Sequence, residues 1–201
     1  VHPNILTLHR VLETSAFLLL LLEFVPGHDL LYFLEDRRNL DSVDPSSVLA
    51  RASTPPIPGL LSLLNQSHLL SHARLCLIAS MFEQMCEAVA TCHEASVFHR
   101  DIKPENFIVT DGCAWNPDGI CERRVITKLC DFSLSTRDAI SPDMNYGCAP
   151  YMSYGMLLFS ISYFSFILSS YHFTECRNNM APEYKPRGAD VWSLGIVLIS
   201  M

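Results

Sequence analysis

His99-Arg100-Asp101-Ile102-Lys103-Pro104-Glu105-Asn106 packs a carboxylate, a cation and a primary amide into eight residues. A carboxylate placed against a hydroxyl can take its proton as a general base. A lysine two residues on supplies positive charge where negative charge builds up in flight. The amide oxygen of Asn106 is a hard donor of the kind magnesium accepts. Taken together, these are the parts needed to move a phosphoryl group onto a hydroxyl. A lone Asp or Asn is more often a cap or a turn residue. The ordered set, followed by Asp131-Phe132-Ser133, makes coincidence a poor explanation.

Upstream, residues 73–95 carry Leu75, Ile78, Ala79, Phe82, Met85, Cys86, Val89 and His93 at three- and four-residue steps. That spacing predicts a helix with one apolar face, delivering the chain into the 99–106 loop. Downstream, Phe107-Ile108-Val109 predicts a strand, residues 111–124 a polar loop with a turn at Asn116-Pro117-Asp118-Gly119, and residues 125–129 a partner strand. Residues 1–33 read as short strands and then a helix. Within them the apolar run 16–25, ended by Pro26-Gly27, suits a buried strand better than a membrane span. Residues 35–72 change character, with Arg37, Arg38, Asp41 and Asp44 ahead of Pro55, Pro56, Pro58 and Gly59, and read as a long inserted loop. Residues 190–201 predict a helix so apolar that it should be buried on all sides.

The 99–106 segment is similar to the catalytic loop of eukaryotic protein kinases, and Asp131-Phe132-Ser133 to their magnesium-binding motif. The resemblance extends in chain order. His2-Pro3-Asn4-Ile5 resembles the turn into the fourth small-lobe strand, and Leu22-Glu23-Phe24-Val25 resembles the gatekeeper and hinge. Asp190-Val191-Trp192-Ser193-Leu194-Gly195 resembles the start of the central helix of the large lobe. It implies an α+β, two-lobe kinase fold in truncated form: residues 1–28 the end of the small lobe and the hinge, 29–201 the first part of a mainly helical large lobe, with an insert at 37–72.

The implied activity is that of a serine/threonine protein kinase using ATP and Mg2+ on a protein substrate. Asp101 would be the base, and Lys103 would offset charge on the transferring phosphate, a serine/threonine-class feature. Asn106 and Asp131 would hold magnesium. The backbone of Glu23 and Val25, behind the gatekeeper Leu22, would bond adenine. Asp29 would contact ribose, and Ile108 would support the base. Asp190 would bond to the backbone of the 99–101 segment. Leu8, His99 and Phe132 would be packed spine residues. Arg100 would be available to a phosphate placed on Ser135, Thr136 or Ser141.

The chain departs from the family pattern in several places. Residues 1–201 contain no Gly-rich phosphate loop, no strand lysine for the α/β-phosphates and no helix glutamate to pair with it, all of which would precede Val1 in the family's order. The 201-residue polypeptide alone is therefore expected to be inactive. Ser133 stands where the motif has glycine, and glycine permits torsions that serine resists; this favours an alternative reading as a pseudokinase or regulatory scaffold.

Residues 155–174 are uncharged apart from His172 and long enough for a membrane helix of about 20 residues. A span there would thread a bilayer through the large lobe, so the membrane-anchored reading is untenable if the rest folds as a kinase. Removing them joins Ala149-Pro150-Tyr151-Met152-Ser153-Tyr154 to Glu175-Cys176-Arg177-Asn178-Asn179. The joined text resembles a fungal group of serine/threonine kinases, and residues 155–174 read as a translated, retained intron. Glu175 then matches the end of the activation segment, and Ala181-Pro182-Glu183 becomes an ordinary loop.

The bulk properties agree with this reading. Charged residues are only 17% of the chain and apolar residues 49%, and a net charge of −7 gives no electrostatic reason to expect nucleic acid as a partner. The eight cysteines include no C-x-x-C pair. Cys76, Cys86 and Cys92 read as buried free thiols of a reducing compartment. With no signal-peptide pattern at Val1, the expected location is cytoplasmic or nuclear.

Overall fold

The computed structural model describes residues 1–34, 60–65, 71–115, 121–143, 147–152 and 183–201. The proposed insert 155–174, most of 37–72, the turn 116–119, Glu175 and Ala181-Pro182 lie outside the described residues. In chain order the elements are β1 (Leu8–Glu13), β2 (Leu18–Leu22), β3 (His28–Asp29), α1 (His72–Glu94), β4 (Phe107–Trp115), β5 (Cys121–Leu129) and α2 (Pro186–Ser200). Single 3-10 turns lie at Leu60–Asn65, Pro104–Asn106 and Ala149–Tyr151. Two compact units form, neither continuous in sequence. The first holds Val1–Ala88, Pro104–Cys130 and Ser200–Met201, and the second Val89–Lys103 and Asp131–Ile199.

In the first unit, β1 and β2 form an antiparallel hairpin with Glu13 opposite Leu18. Thr14 makes the turn: its hydroxyl accepts the Phe17 N–H at 2.9 Å and its own N–H donates to the Phe17 carbonyl at 2.8 Å. The strand expected within 16–25 is present, but it is not buried. Leu18 to Leu22 are each about half exposed, and so is Leu8, which was expected to pack as a spine residue. The physical reason is the two-stranded sheet: among the described residues no third strand or helix covers its faces.

The second sheet runs β3-β4-β5, antiparallel throughout. β4 and β5 pair without a break from Phe107↔Leu129 to Trp115↔Cys121, so most of the expected polar loop 111–124 is strand. A polar sequence still satisfies its backbone groups by cross-strand pairing, whatever side chains it carries.

α1 ends within one residue of the expected bounds, but its buried face is turned. Arg74, Leu77, Ile78, Met81, Gln84, Met85, Ala88, Val89, Cys92 and His93 are buried, while Leu75, Ala79 and Cys76 point outward. The helix is apolar on most sides, so the 3.6-residue period fits more than one rotation. Two polar groups settle which face goes in. The Gln84 side chain accepts from Asn4 Nδ2 at 2.8 Å and from the Thr127 N–H at 3.0 Å, and donates to the Val125 carbonyl at 2.9 Å. The Arg74 guanidinium donates to the Met201 carbonyl. Length and composition alone would let α1 cross a membrane; these bonded polar groups on its buried face mark a core helix instead. In the same unit Leu30, Met81, Met85, Phe107, Val109, Val125 and Leu129 are all buried.

In the second unit, α1 stops on a Schellman motif. The Val97 N–H bonds the Cys92 carbonyl at 2.8 Å, and the Ser96 N–H bonds the His93 carbonyl at 3.1 Å, with Ser96 at φ 55°. The left-handed position usually taken by glycine is held here by serine, against its Cβ sterics. Ser96→Gly is therefore expected to stabilise this unit by about 1 kcal/mol; an unchanged or lowered unfolding midpoint in urea would contradict this. α2 begins with Pro186 at its first turn, where the missing N–H goes unmissed. It is not buried all round as expected. Ala189, Asp190, Ser193, Leu194 and Val197 face inward, whereas Val191, Trp192, Leu198 and Ile199 are exposed, because among the described residues only one face of α2 finds packing partners.

Candidate active site

The Schellman cap turns the chain out of α1 directly into the 98–103 segment. The strand-like pair Phe98↔Thr136 then fixes it, with N–H to carbonyl distances of 2.8 and 2.9 Å in the two directions. His99 and Arg100 donate their backbone N–H groups to the two carboxylate oxygens of Asp190, at 2.8 and 2.7 Å. His93 Nε2 lies 2.9 Å from Asp190 Oδ2. Asp190 is 1% exposed, so a buried anion at the start of α2 organises the loop that carries Asp101. This is the structural role that the resemblance implied for Asp190. The same anion and the surrounding burial act on the neighbouring thiol. Burial first, then the Asp190 charge, push Cys92 up to about 11, which keeps it protonated and unreactive.

Arg100 sits at φ 69°, a left-handed conformation sterically disfavoured for a side-chain-bearing residue. Its Nε donates to the Leu134 carbonyl at 2.6 Å, so the guanidinium is already engaged with the segment following Asp131. Ser135 Oγ donates to the Phe132 carbonyl at 2.5 Å, Thr136 Oγ1 to Asp138 Oδ2 at 3.1 Å, and Ser141 Oγ accepts the Asp143 N–H at 3.2 Å. Gly147, at φ 103°, brings its backbone against the Arg100 carbonyl, where a Cβ would come within 2.8 Å. Ser193 Oγ donates to the Tyr151 carbonyl at 2.7 Å and anchors the 149–151 turn to α2.

The Asp101 carboxylate is 8% exposed and its Oδ2 lies 2.7 Å from Lys103 Nζ. The candidate base and the candidate cation are thus in direct contact. Asp131 is exposed and left-handed at φ 58°. Donors from Ser133, its hydroxyl first and then its backbone N–H, hold the Asp131 carboxyl below the usual carboxylate range, with His99 and Lys103 adding to the effect. The Ser133 N–H to Asp131 Oδ1 distance is 3.2 Å. Ser133 is absent from the residues with positive φ, so serine at the glycine position sits here without the strain its Cβ would suffer in the left-handed region. The Phe132 ring packs edge-on against the buried His99 ring, centroids 4.9 Å apart.

The other candidate residues belong to the first unit. Asn106 is buried, and its carbonyl accepts the Cys130 N–H at 2.9 Å. Ile108 is paired on one side with Asp29 and on the other with Lys128. Asp29 Oδ1 accepts the Tyr32 N–H at 2.8 Å, which makes it the N-cap of the helix starting at Leu30 as well as the candidate ribose contact. Gly27 lets the turn after the hinge lie against β4; a Cβ there would fall 2.2 Å from the Val109 carbonyl oxygen. The Glu23 N–H is taken by the Thr7 carbonyl at 2.8 Å, so its carbonyl is the group left to face a ligand. Leu22 is exposed and Val25 is half-buried.

Sequence reasoning missed the Glu23 side chain and its partner Lys128, 2.9 Å apart. The Lys128 ammonium and the Thr7 N–H together hold the Glu23 carboxyl below the usual range. The available signal was a single cation standing between Thr127 and Leu129 in an otherwise apolar strand end. By chemistry, an ionised exposed carboxylate (Asp131, in the second unit) and a primary amide (Asn106, in the first) are each hard oxygen donors of the kind magnesium accepts.

A model of the protein kinase domain matches residues 1–201. Over 201 residues, all of this chain, it is 26% identical to the serine/threonine-protein kinase SKS1 of Saccharomyces cerevisiae and covers 30% of that protein. It is 27% identical, again over the whole chain, to a Schizosaccharomyces pombe protein named negative regulator of sexual conjugation and meiosis, of which it covers 34%. Over 125 residues, 62% of the chain, it is 32% identical to the serine/threonine-protein kinase ksp1 of Schizosaccharomyces pombe, covering 21% of that protein. The chain thus spans about a third or less of the curated relatives it matches.

Proposed function

The chain belongs to the protein kinase family, and from that premise we propose that the natural protein containing it is a serine/threonine kinase that transfers the γ-phosphoryl group of ATP to protein hydroxyls. The observation that carries this reading is the contact between Asp101 and Lys103 on a loop braced by buried Asp190. Asp101 accepts the proton of the substrate hydroxyl as the oxygen attacks the γ-phosphorus and the bond to the β–γ bridging oxygen breaks, with ADP leaving. Lys103, held at Asp101 Oδ2, orients that carboxylate and brings positive charge to the reacting oxygens. Glu23 and Val25 bond the adenine edge through their backbone, Asp29 contacts the ribose, and Ile108 supports the base. Asp131 and Asn106 would hold magnesium, which when bound neutralises charge on the phosphates.

Two further proposals follow from the same family pattern. Residues 155–174 are a retained intron, which sequencing of the transcript across Gly155 and Thr174 decides: a message that keeps those twenty codons in the translated protein contradicts it. The protein works in the cytoplasm or nucleus. The alternative reading is a pseudokinase or regulatory scaffold, favoured by Ser133 and by the missing Gly-rich loop, strand lysine and helix glutamate; in favour of the enzyme, Ser133 lies outside the positive-φ region and its N–H donates to Asp131 Oδ1.

The test is phosphoamino-acid analysis after incubation of the full-length protein with labelled ATP, magnesium and a mixed protein substrate. Label is expected on serine and threonine, and none is expected from the isolated 201-residue polypeptide, which lacks a Gly-rich loop and its lysine. Label confined to tyrosine, or transfer by the isolated polypeptide, would contradict the reading.

A further inference from the structure

We infer that the Glu23–Lys128 ion pair is a positioning device for recognition of the nucleotide base, tying the hinge edge to the strand pair that carries Ile108. The inference rests on the reading of Glu23, Val25 and Ile108 as the walls of the base site. Three observations in the first unit carry it. Lys128 Nζ lies 2.9 Å from Glu23 Oε1 and 3.1 Å from Oε2, a two-oxygen grip between residues far apart in sequence. Glu23 and Thr7 are bonded reciprocally: the Thr7 N–H donates to Glu23 Oε2 at 3.1 Å, and the Glu23 N–H to the Thr7 carbonyl at 2.8 Å. In the β4–β5 ladder the residue directly opposite Lys128 is Ile108.

The geometry of the grip follows from these pairings. The 23–27 segment leaves the β1–β2 hairpin and belongs to no strand until His28 pairs with Val109. At its far end it is fastened by the Thr110 hydroxyl, which donates to the Pro26 carbonyl at 2.7 Å, and by the close approach of Gly27 to Val109. At its near end the side-chain fastening is the Glu23 carboxylate. Through Lys128 that carboxylate reaches the residue paired with Ile108. The pair therefore sets the spacing between one wall of the base site, the Glu23 carbonyl and Val25, and the other wall, Ile108. Side-chain exposures of 14% for Lys128 and 27% for Glu23 leave the pair less screened than a fully solvated one. An exposed pair contributes little to folding. The larger consequence here is geometric, because a loosened hinge must be ordered again each time a ligand binds.

The test is fluorescence titration of N-methylanthraniloyl-ADP, with magnesium, into the full-length protein and its variants. Glu23→Gln and Lys128→Met are each expected to raise Kd on the order of five- to tenfold. Lys128→Arg is expected to restore Kd to within about twofold of the parent, because the charge-assisted contact survives. In phosphotransfer assays KM for ATP should rise by a similar factor, with kcat changing less. Parent-like affinity in both Glu23→Gln and Lys128→Met overturns the positioning role and leaves the base site standing. A loss in only one of the two assigns the effect to that side chain alone and also overturns the pair. A parent protein that binds no nucleotide overturns the base-site reading itself, and the role of the pair with it.

Discussion

Asp190→Ala is expected to unfold the unit comprising Val89–Lys103 and Asp131–Ile199. The wild-type carboxylate takes two backbone N–H donors, from His99 and Arg100, and the His93 ring, in a site 1% exposed to solvent. Alanine removes the acceptor and leaves both N–H groups buried without partners, at about 1–3 kcal/mol for each. It also leaves a small cavity and an orphaned imidazole. The combined loss, roughly 3–5 kcal/mol, is a large fraction of the 5–15 kcal/mol that holds an ordinary domain together. Asp190→Asn should fall between the two, since one amide oxygen can still accept while the NH2 group is turned against a donor. Hydrogen exchange at the His99 and Arg100 amides in the full-length protein reads this locally. Both should lose protection in the alanine variant, and wild-type protection there would show that Asp190 does not organise the loop.

Asp101→Asn is expected to reduce kcat by about 10²–10⁴-fold, the usual contribution of a positioned general base. Asparagine keeps the shape of the side chain and an oxygen for the Lys103 ammonium, which in the parent lies 2.7 Å from the carboxylate, so the loop should stay folded. What it loses is basicity, because an amide cannot hold the hydroxyl proton at neutral pH. KM for ATP should move little, since Asp101 is proposed to meet the hydroxyl rather than the nucleotide, and the melting temperature should stay near that of the parent. A kcat loss accompanied by a collapsed melting temperature would mean that Asp101 is chiefly structural.

The 99–106 loop was legible as the mark of the protein kinase family because that family carries particular side chains at fixed spacing there, and spacing is what a sequence records. Asp190 was legible for the same reason, through the segment it opens. α1 was legible as a helix but not in its rotation. Leu75 and Ala79 continue the apolar period as well as Leu77 and Met81 do, and the choice is made by Gln84, whose partners Asn4, Val125 and Thr127 lie elsewhere in the chain. The β4–β5 hairpin was read too short because polar residues at its outer end carry no burial signal, although their backbones pair as far as Trp115 and Cys121. Burial of β2 and of the whole surface of α2 was expected from apolarity alone. Apolar composition says that a face favours cover, and it does not say which residues provide that cover. The Glu23–Lys128 pair joins residues 105 positions apart, beyond the reach of any local pattern.

In the proposed mechanism the braced 99–106 loop performs phosphoryl transfer with Asp101 as its base. The most direct measurement is the rate of label transfer from γ-labelled ATP to a protein substrate by the full-length protein, parent and Asp101→Asn side by side, at saturating ATP and magnesium. The predicted result is steady transfer to serine or threonine by the parent and a loss of about 10²–10⁴-fold in the folded variant. Equal rates in the two proteins, or a folded parent that transfers nothing, would contradict it.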